Sequence, residues 1–145
     1  MNNISNGTTV QIHLETTIKQ DQSNEHFVFD TVGQLVEIGD NIYIRYVEEN
    51  QDEGDIPVTL KIMKDGSVKI TRSSQSRLQL VLQNQKKVSS QYKTPYGILG
   101  IDTLTTNLDI KILENPLRGN VNADYMLYNG QELLGNYNIR LQFTI

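Results

Sequence analysis

Hydrophobic and polar residues alternate along most of the chain with the period of two that is typical of β-strands. In the first such segment the hydrophobic face consists of Val10, Ile12, Leu14 and Ile18. Residues 135–145 repeat the pattern at the other end of the chain. Strands with one hydrophobic and one polar face are typical of antiparallel sheets.

The middle of the chain contains eight further segments with hydrophobic residues at alternate positions, and each is predicted to be a strand. They lie at residues 27–29, 42–46, 56–62, 68–70, 78–82, 99–101, 108–112 and 121–127. After Gly33 the hydrophobic positions change from odd to even numbers, which predicts a β-bulge near that glycine. Residues 74–90 are the one stretch that could be helical, but their leucines are two residues apart, so we predict a strand.

Short turns connect these strands, with a glycine beside Asp or Asn at 39–41, 64–67 and 128–131. About ten strands with one hydrophobic face each can hide that face in a closed barrel or in a two-layer sandwich. Sequential hairpins dominate and no long crossover is needed, which favours the barrel. The sequence predicts an all-β fold, a single closed antiparallel up-and-down β-barrel of about eight to ten strands over residues 1–145, with a flexible segment at 1–7.

Two charged residues are predicted to point into the barrel at one end. Glu48 lies two residues after Tyr46, and Arg72 lies two residues after Ile70, so each falls on the hydrophobic face of its strand. An unpaired buried charge is very costly, so inward-facing Glu48 and Arg72 would form an ion pair. If the parity fails at the strand ends, both side chains reach solvent instead. As a binding site, Arg72 would bind a ligand carboxylate, and Tyr46 or Tyr125 would donate a hydroxyl.

The segment from Tyr92 to Gly97 is a second dense local pattern. Pro95 and Gly97 suit a turn, and Tyr92 and Tyr96 offer flat amphipathic surface. We expect this turn at the end of the barrel opposite the two charges. It either plugs that end with aromatic rings or serves as a recognition loop.

Composition excludes several classes of function. The chain has no cysteine, which excludes disulfides, cysteine nucleophiles and zinc–thiolate sites. Its formal net charge is −4 and it has no basic stripe, so nucleic acid is not an expected partner. No apolar run is long enough to span a membrane, and the first ten residues lack the features of a secretory signal. A cytoplasmic location without membrane contact is therefore expected.

Candidate catalytic and metal-binding groups are sparse. His13 falls on the polar face of the first strand, and His26 has too few potential metal ligands around it. The acidic residues between 48 and 55 lack the spacing of an EF-hand and are interpreted as a solvated loop. A glycine-rich phosphate loop and a nucleophile elbow are both missing. We expect no metal, no cofactor and no enzymatic activity.

Several short motifs resemble the YwiB-like family of small Bacillota proteins, which has no established function. The resemblance covers about residues 10–143 and rests on the opening alternation, Tyr43-x-x-Tyr46-x-Glu48, Ile70-x-Arg72, the Tyr92–Gly97 turn, Leu99-x-Ile101-x-Thr103 and Gly135-x-Tyr137. It implies a bacterial cytoplasmic protein with a calycin-type barrel, similar to lipocalins and fatty-acid-binding proteins. The chain departs from the family after Arg72, where it has Ser73-Ser74 in place of a glycine. The family supplies no activity to transfer.

Two functions remain open from the sequence. The first is a non-catalytic barrel that binds a small apolar or amphipathic ligand, hydrophobic or carboxylate-bearing, with Arg72 and Glu48 near its mouth. The alternative is a protein-interaction or regulatory module with a side-chain-filled barrel. In that case the outward Tyr43, Met126 and Tyr128 would form a hydrophobic patch.

Overall fold

The computed structural model describes residues 7–50 and 54–145, which form ten β-strands and no helix. In chain order the strands are β1 (Thr8–Gln20), β2 (Ser23–Ile38), β3 (Asn41–Asn50), β4 (Gly54–Ile62), β5 (Val68–Ser73), β6 (Arg77–Leu82), β7 (Lys86–Thr94), β8 (Gly97–Leu113), β9 (Arg118–Asn129) and β10 (Glu132–Thr144).

Every strand lies antiparallel to its neighbours in sequence, and β1 pairs with β10 to close the sheet. The predicted closed antiparallel up-and-down barrel is confirmed, and the competing sandwich is wrong. Closure pairs the two chain-terminal strands, so neither is left as an exposed edge. Apart from Gly7, the segment 1–7 that was expected to be flexible lies outside the described residues.

Hydrophobic side chains at alternate positions fill the core of the barrel. The cluster takes residues from strands all round the sheet, among them Ile12, Ile44, Leu60, Leu82 and Phe143, each at most 2% exposed. Burying one such side chain contributes about 1.5–3 kcal/mol. This burial determines which face of each strand turns inward.

The structure corrects the predicted strands between residues 97 and 113. The segments 99–101 and 108–112 belong to one strand, β8, whose pairing with β9 shifts between Thr105 and Asn107. The extra residue, Thr106, changes the inward positions from odd to even numbers. That change of parity is why the sequence suggested two strands.

Strand β7 is missing from the predicted set. Residues 74–90 are not helical, as expected, but they hold β6 and the start of β7 with a turn at 83–85 between them, rather than one strand. The inner positions of β7 include the polar Ser90, so hydrophobic alternation does not reveal it. This additional strand reverses the chain before the turn at 92–97. The expectation that the turn lies opposite Glu48 and Arg72 is therefore wrong, because β3, β5 and β7 all end at the same rim.

The bulge expected near Gly33 is also wrong: β2 pairs with β1 through residues 23–35 without a register shift. Leu35 keeps the inward parity and is 3% exposed, whereas Ile38 is 54% exposed. Val36 faces outward but is buried, with Gly7 lying against it. A hydrophobic residue covered from outside therefore produced the apparent change of parity.

The odd-numbered strands end at one end of the barrel, which we call the upper end. Pairing between β2 and β3 stops at Gln34 and Arg45, so within the described ranges residues 23–33 pair with β1 alone. Between β6 and β7 one aligned pair is formed, Arg77 with Lys93, again counting described residues. The wall is thus incompletely hydrogen-bonded at two seams, and the β2–β3 seam opens at the upper end.

Candidate functional site

The upper end holds an ion pair between β3 and β5. Glu48 opposes Ile56 of β4, and Arg72 opposes Val58, and both partners are buried inner-face residues. Arg72 donates from Nε to Glu48 Oε2 at 3.3 Å and from Nη2 to Glu48 Oε1 at 2.9 Å. The expected inward orientation and pairing are confirmed, and the role of the two residues in binding stays a prediction.

The ion pair is half-buried rather than sealed. The Arg72 side chain is 38% exposed and that of Glu48 is 28% exposed. Two charge-assisted hydrogen bonds fix the guanidinium in one orientation. A guanidinium carries five N–H donors, so three remain for another acceptor. Arg72 is therefore held in place while it keeps the capacity to bind an anion.

Two buried tyrosines flank the ion pair. Burial raises the pKa of Tyr46 well above its ordinary 10.0, and the Glu48 carboxylate raises it further while Arg72 opposes the shift. Burial also raises the pKa of Tyr125, with a smaller contribution from Tyr137 and again an opposing one from Arg72. Both phenols therefore stay neutral. Arg72 is therefore near enough to both phenols to act on them electrostatically, while its hydrogen bonds go to Glu48.

Five further inner-face side chains, largely hydrophobic, lie towards the upper ends of their strands, and we call them the apolar collar. It comes from β2, β7, β8 and β10 and consists of Phe27, Phe29, Tyr92, Leu99 and Tyr137. Phe27 is 50% exposed and Leu99 is 42% exposed, although both lie on the inner face. Inner positions exposed to this degree indicate that the upper end is open.

Ring contacts join the collar to the buried tyrosines. Tyr137 stacks on Tyr125 with ring centroids 5.3 Å apart and planes within 5° of parallel. Phe29 and Tyr46 are 6.3 Å apart and tilted. Aromatic pairs at such distances add about 0.5–1.5 kcal/mol beyond the area they bury. Part of the collar is thus packed against buried aromatic rings, whereas Phe27 and Leu99 are exposed.

Two polar side chains of β8 lie among the hydrophobic residues of the core cluster. Thr103 and Thr105 of β8 are 0% exposed, and their hydroxyl oxygens have no hydrogen-bond partner in the structure. They oppose Leu127 and Tyr125 of β9. The interior next to them is therefore lined mainly by the buried hydrophobic side chains of the core cluster.

The two tyrosines of the segment Tyr92–Gly97 lie in different environments. Tyr92 faces inward and is partly buried in the collar, whereas Tyr96 is 99% exposed at the tip beside the exposed Pro95. Thr94 Oγ1 accepts a hydrogen bond from the Tyr96 amide at 3.1 Å and donates one to the Gly97 carbonyl at 2.9 Å. The prediction that both aromatic rings plug this end of the barrel is therefore wrong, and a role of this turn as a recognition loop stays a prediction.

The outward tyrosines do not form the continuous patch that the alternative function requires. Tyr43 on β3 and Tyr128 on β9 are four strands apart round the barrel. The Arg45 guanidinium lies 5.6 Å from the Tyr43 ring, and the Lys87 amine lies 5.3 Å from the Tyr128 ring. The Tyr128 hydroxyl also donates to Met126 Sδ at 3.6 Å. Each ring is therefore partly covered by its own neighbours.

Both histidines lie on the outer face of the β1–β2 hairpin, as expected for His13. Glu15 joins them, with its oxygens 3.0 Å from His13 Nε2 and 3.6 Å from His26 Nε2. Across residues 7–50 and 54–145, no group of three or more His, Asp or Glu side chains is arranged to hold a metal ion. The same ranges contain no helix of the length and hydrophobicity needed to cross a membrane.

The collar residues Phe27, Leu99 and Tyr137 are functional candidates that the sequence reasoning did not select. Their parity already marks them as inward-facing. Their height in the barrel depends on the register of β2, β8 and β10 against neighbours distant in the chain. Pairing the strands in order and aligning each hairpin at its turn is the signal that would have found them.

Comparisons with known proteins agree with the observed fold. The curated relative "Uncharacterized beta-barrel protein YwiB" of Bacillus subtilis (strain 168) is 25% identical over 132 residues, which cover 91% of this chain and 92% of that protein. The crystal structure of the ywiB protein from Bacillus subtilis superposes with a TM-score of 0.82 at 21% identity, covering 97% of this chain and 93% of that one. A family model described as a domain of unknown function, DUF1934, matches residues 12–141. The chain therefore belongs to the DUF1934 family, whose function is unknown.

Proposed function

We propose that this protein is a non-catalytic binding protein that holds a small amphipathic molecule with a carboxylate at the upper end of its barrel. The observation that carries the proposal is the Arg72 guanidinium, which Glu48 fixes at the upper end beside hydrophobic and aromatic side chains. Its unused N–H donors match the two oxygens of a carboxylate. The charges of Glu48 and Arg72 cancel, so a bound ligand with one carboxylate gives the site a net charge of −1.

The apolar part of the ligand rests against the collar. Phe27 and Leu99 present exposed hydrophobic surface at the upper end, and Tyr46 and Tyr125 supply neutral hydroxyls near Arg72. Sites with mostly hydrophobic walls and a few convergent polar groups are typical of small-molecule binding. The buried core cluster lies beneath this site, which favours a ligand that is short or keeps part of its length outside. Likeness to lipocalins alone would not justify a ligand.

The second candidate is a protein-interaction module, and one observation favours it. The tip of the β7–β8 hairpin presents Tyr96 at 99% exposure and Ile98 at 65% exposure, next to the open end. Tyrosine is among the residue types enriched in the anchors of protein interfaces, and Ile98 adds exposed hydrophobic surface beside it. In this interpretation the tip, rather than the ion pair, carries the binding energy.

Native mass spectrometry of the protein purified from its own host cells tests the proposal, followed by denaturing extraction of whatever accompanies it. We expect a stoichiometric small acid that is lost in Arg72→Leu and kept in Arg140→Leu. Arg140 is a matched control because it is an exposed arginine on the outer face of β10. Protein of apo mass alone would count against the proposal, and a co-purifying protein lost on Tyr96→Ser would support the second candidate.

A further inference from the structure

A row of five polar side chains crosses the outer wall of the barrel, one from each of five adjacent strands. The register places them directly opposite one another from β8 through β9, β10 and β1 to β2: Lys111, Asn120, Gln142, His13 and Asp30. Neighbouring strands lie about 4.8 Å apart, so the row is about 19 Å long from end to end.

A second row lies alongside the first, two residues along each strand. It consists of Leu113, Arg118, Thr144 and Gln11. The two rows, together with the hydrophobic Ile12 and Phe143 and with Gly119, line a hollow of about 430 Å³, which we call the outer groove. This volume lies within the range of small-molecule sites. The outer groove is on the opposite face of the sheet from the collar and the ion pair, so it is a separate site.

The charges of the outer groove are arranged asymmetrically. Lys111 and Arg118 occupy the β8–β9 end, where side chains offset by two residues on adjacent strands lie about 7–8 Å apart. Within the described ranges neither forms an ion pair, and Arg118 donates from Nη1 to the Pro116 carbonyl at 2.7 Å. Asp30, the carboxylate of the lining, lies at the far end. One end of the groove therefore attracts an anion.

The far end is fixed by hydrogen bonds. His13 Nδ1 lies 2.6 Å from Asp30 Oδ1, and His13 Nε2 lies 3.0 Å from Glu15 Oε2. With a carboxylate at each ring nitrogen, His13 is committed to these partners and acts as a wall of the groove. The middle of the groove is neutral, and there Asn120 and Gln142 supply amide groups that both donate and accept hydrogen bonds.

We propose that the outer groove binds a hydroxyl-rich small molecule with one anionic group, of the sugar phosphate or sugar acid class. The anionic group lies between Lys111 and Arg118, and the hydroxyls extend over the amides of Asn120 and Gln142. Paired donors and acceptors at regular spacing satisfy hydroxyls, which also both donate and accept. A purely apolar ligand would leave these amides without partners. The proposal is independent of the function proposed for the upper end.

The test is an NMR titration of the ¹⁵N-labelled full chain with four separate probes: glucose 6-phosphate, gluconate, glucose and inorganic phosphate, all at equal ionic strength. We expect glucose 6-phosphate or gluconate to shift the side-chain amides of Asn120 and Gln142 and to saturate below about 10 mM. Lys111→Gln should weaken this binding about tenfold. Lys69→Gln is the matched control, because Lys69 lies on β5 outside the five strands of the groove, and it should leave the affinity unchanged.

Each other outcome overturns the proposal. If glucose binds as tightly as its phosphate, the basic end contributes nothing. If inorganic phosphate binds as tightly as the sugar phosphate, the amide row contributes nothing, and Gln142→Ala should then have no effect. Saturation by none of the four probes, or equal weakening by the Lys69 and Lys111 variants, would show that the groove is not a site for this class. Far-UV circular dichroism of each variant verifies that it is folded.

Discussion

Replacing Arg72 with leucine measures what the ion pair with Glu48 contributes to stability. Exposed ion pairs contribute about 0.2–1 kcal/mol, whereas removing one partner of a fully buried pair costs about 3–5 kcal/mol. The pair lies between these limits, because its two side chains are 38% and 28% exposed and share two hydrogen bonds. We therefore expect Arg72→Leu to lower the free energy of unfolding by about 2 kcal/mol.

Urea denaturation followed by far-UV circular dichroism suits this measurement, since the chain has no tryptophan. Arg140→Leu, on the outer face, should change the free energy of unfolding by less than about 0.5 kcal/mol. A double-mutant cycle with Glu48→Gln isolates the pairwise interaction, for which we expect a coupling of about 1–2 kcal/mol. A coupling near zero would refute the reasoning, because it would mean that both side chains are solvated independently.

Three other predictions concern the wall and the core. Gly33→Ala should destabilise the barrel by about 1–3 kcal/mol, because a Cβ there would lie 2.5 Å from the backbone carbonyl oxygen of Arg45. Gly100→Ala is the control, because a Cβ there meets open space, and equal melting temperatures of the two variants would contradict the prediction. Thr103→Val should stabilise the protein by about 1 kcal/mol in urea denaturation, since it removes a buried hydroxyl without a partner, and a clear loss would reveal a partner. The pKa of His13 should exceed 6.5 in an NMR titration and fall in Asp30→Asn, because Asp30 is the main cause of the increase. Its stabilising contribution is complete below pH 6.5 and is lost as the pH rises through the folded-state pKa, and an unchanged pKa in the variant would refute the assignment.

Alternation of hydrophobic residues together with short connections was sufficient to predict the barrel, because every strand has one face to bury and sequential hairpins need no crossover between two sheets. The alternation failed to predict the inward face where a buried hydrophobic residue faces outward or where an inward-facing residue is polar. Val36 is hydrophobic and buried yet faces outward, and Ser90 is polar yet faces inward. The missed strand β7 also reversed the expected position of Tyr96, because each strand changes the end at which the next turn lies.

The candidate site was partly predictable for a related reason. Glu48 and Arg72 could be placed together because β3, β4 and β5 are consecutive hairpins, so counting residues from each turn gives their height. The outer groove could not be found in this way. Its polar rows join β8, β9 and β10 to β1 and β2, and that alignment exists only once the barrel is closed.

The most direct test of the central claim is an NMR titration of the protein with decanoate and, separately, with decanol, two ligands of equal chain length that differ in the acid group. We predict that decanoate binds saturably, shifts the resonances of Arg72 and Tyr125, and binds more tightly than decanol. This preference should disappear in Arg72→Leu and persist in Arg140→Leu. Equal binding of both ligands by the unaltered protein, or binding that shifts resonances away from the upper end, would contradict the claim.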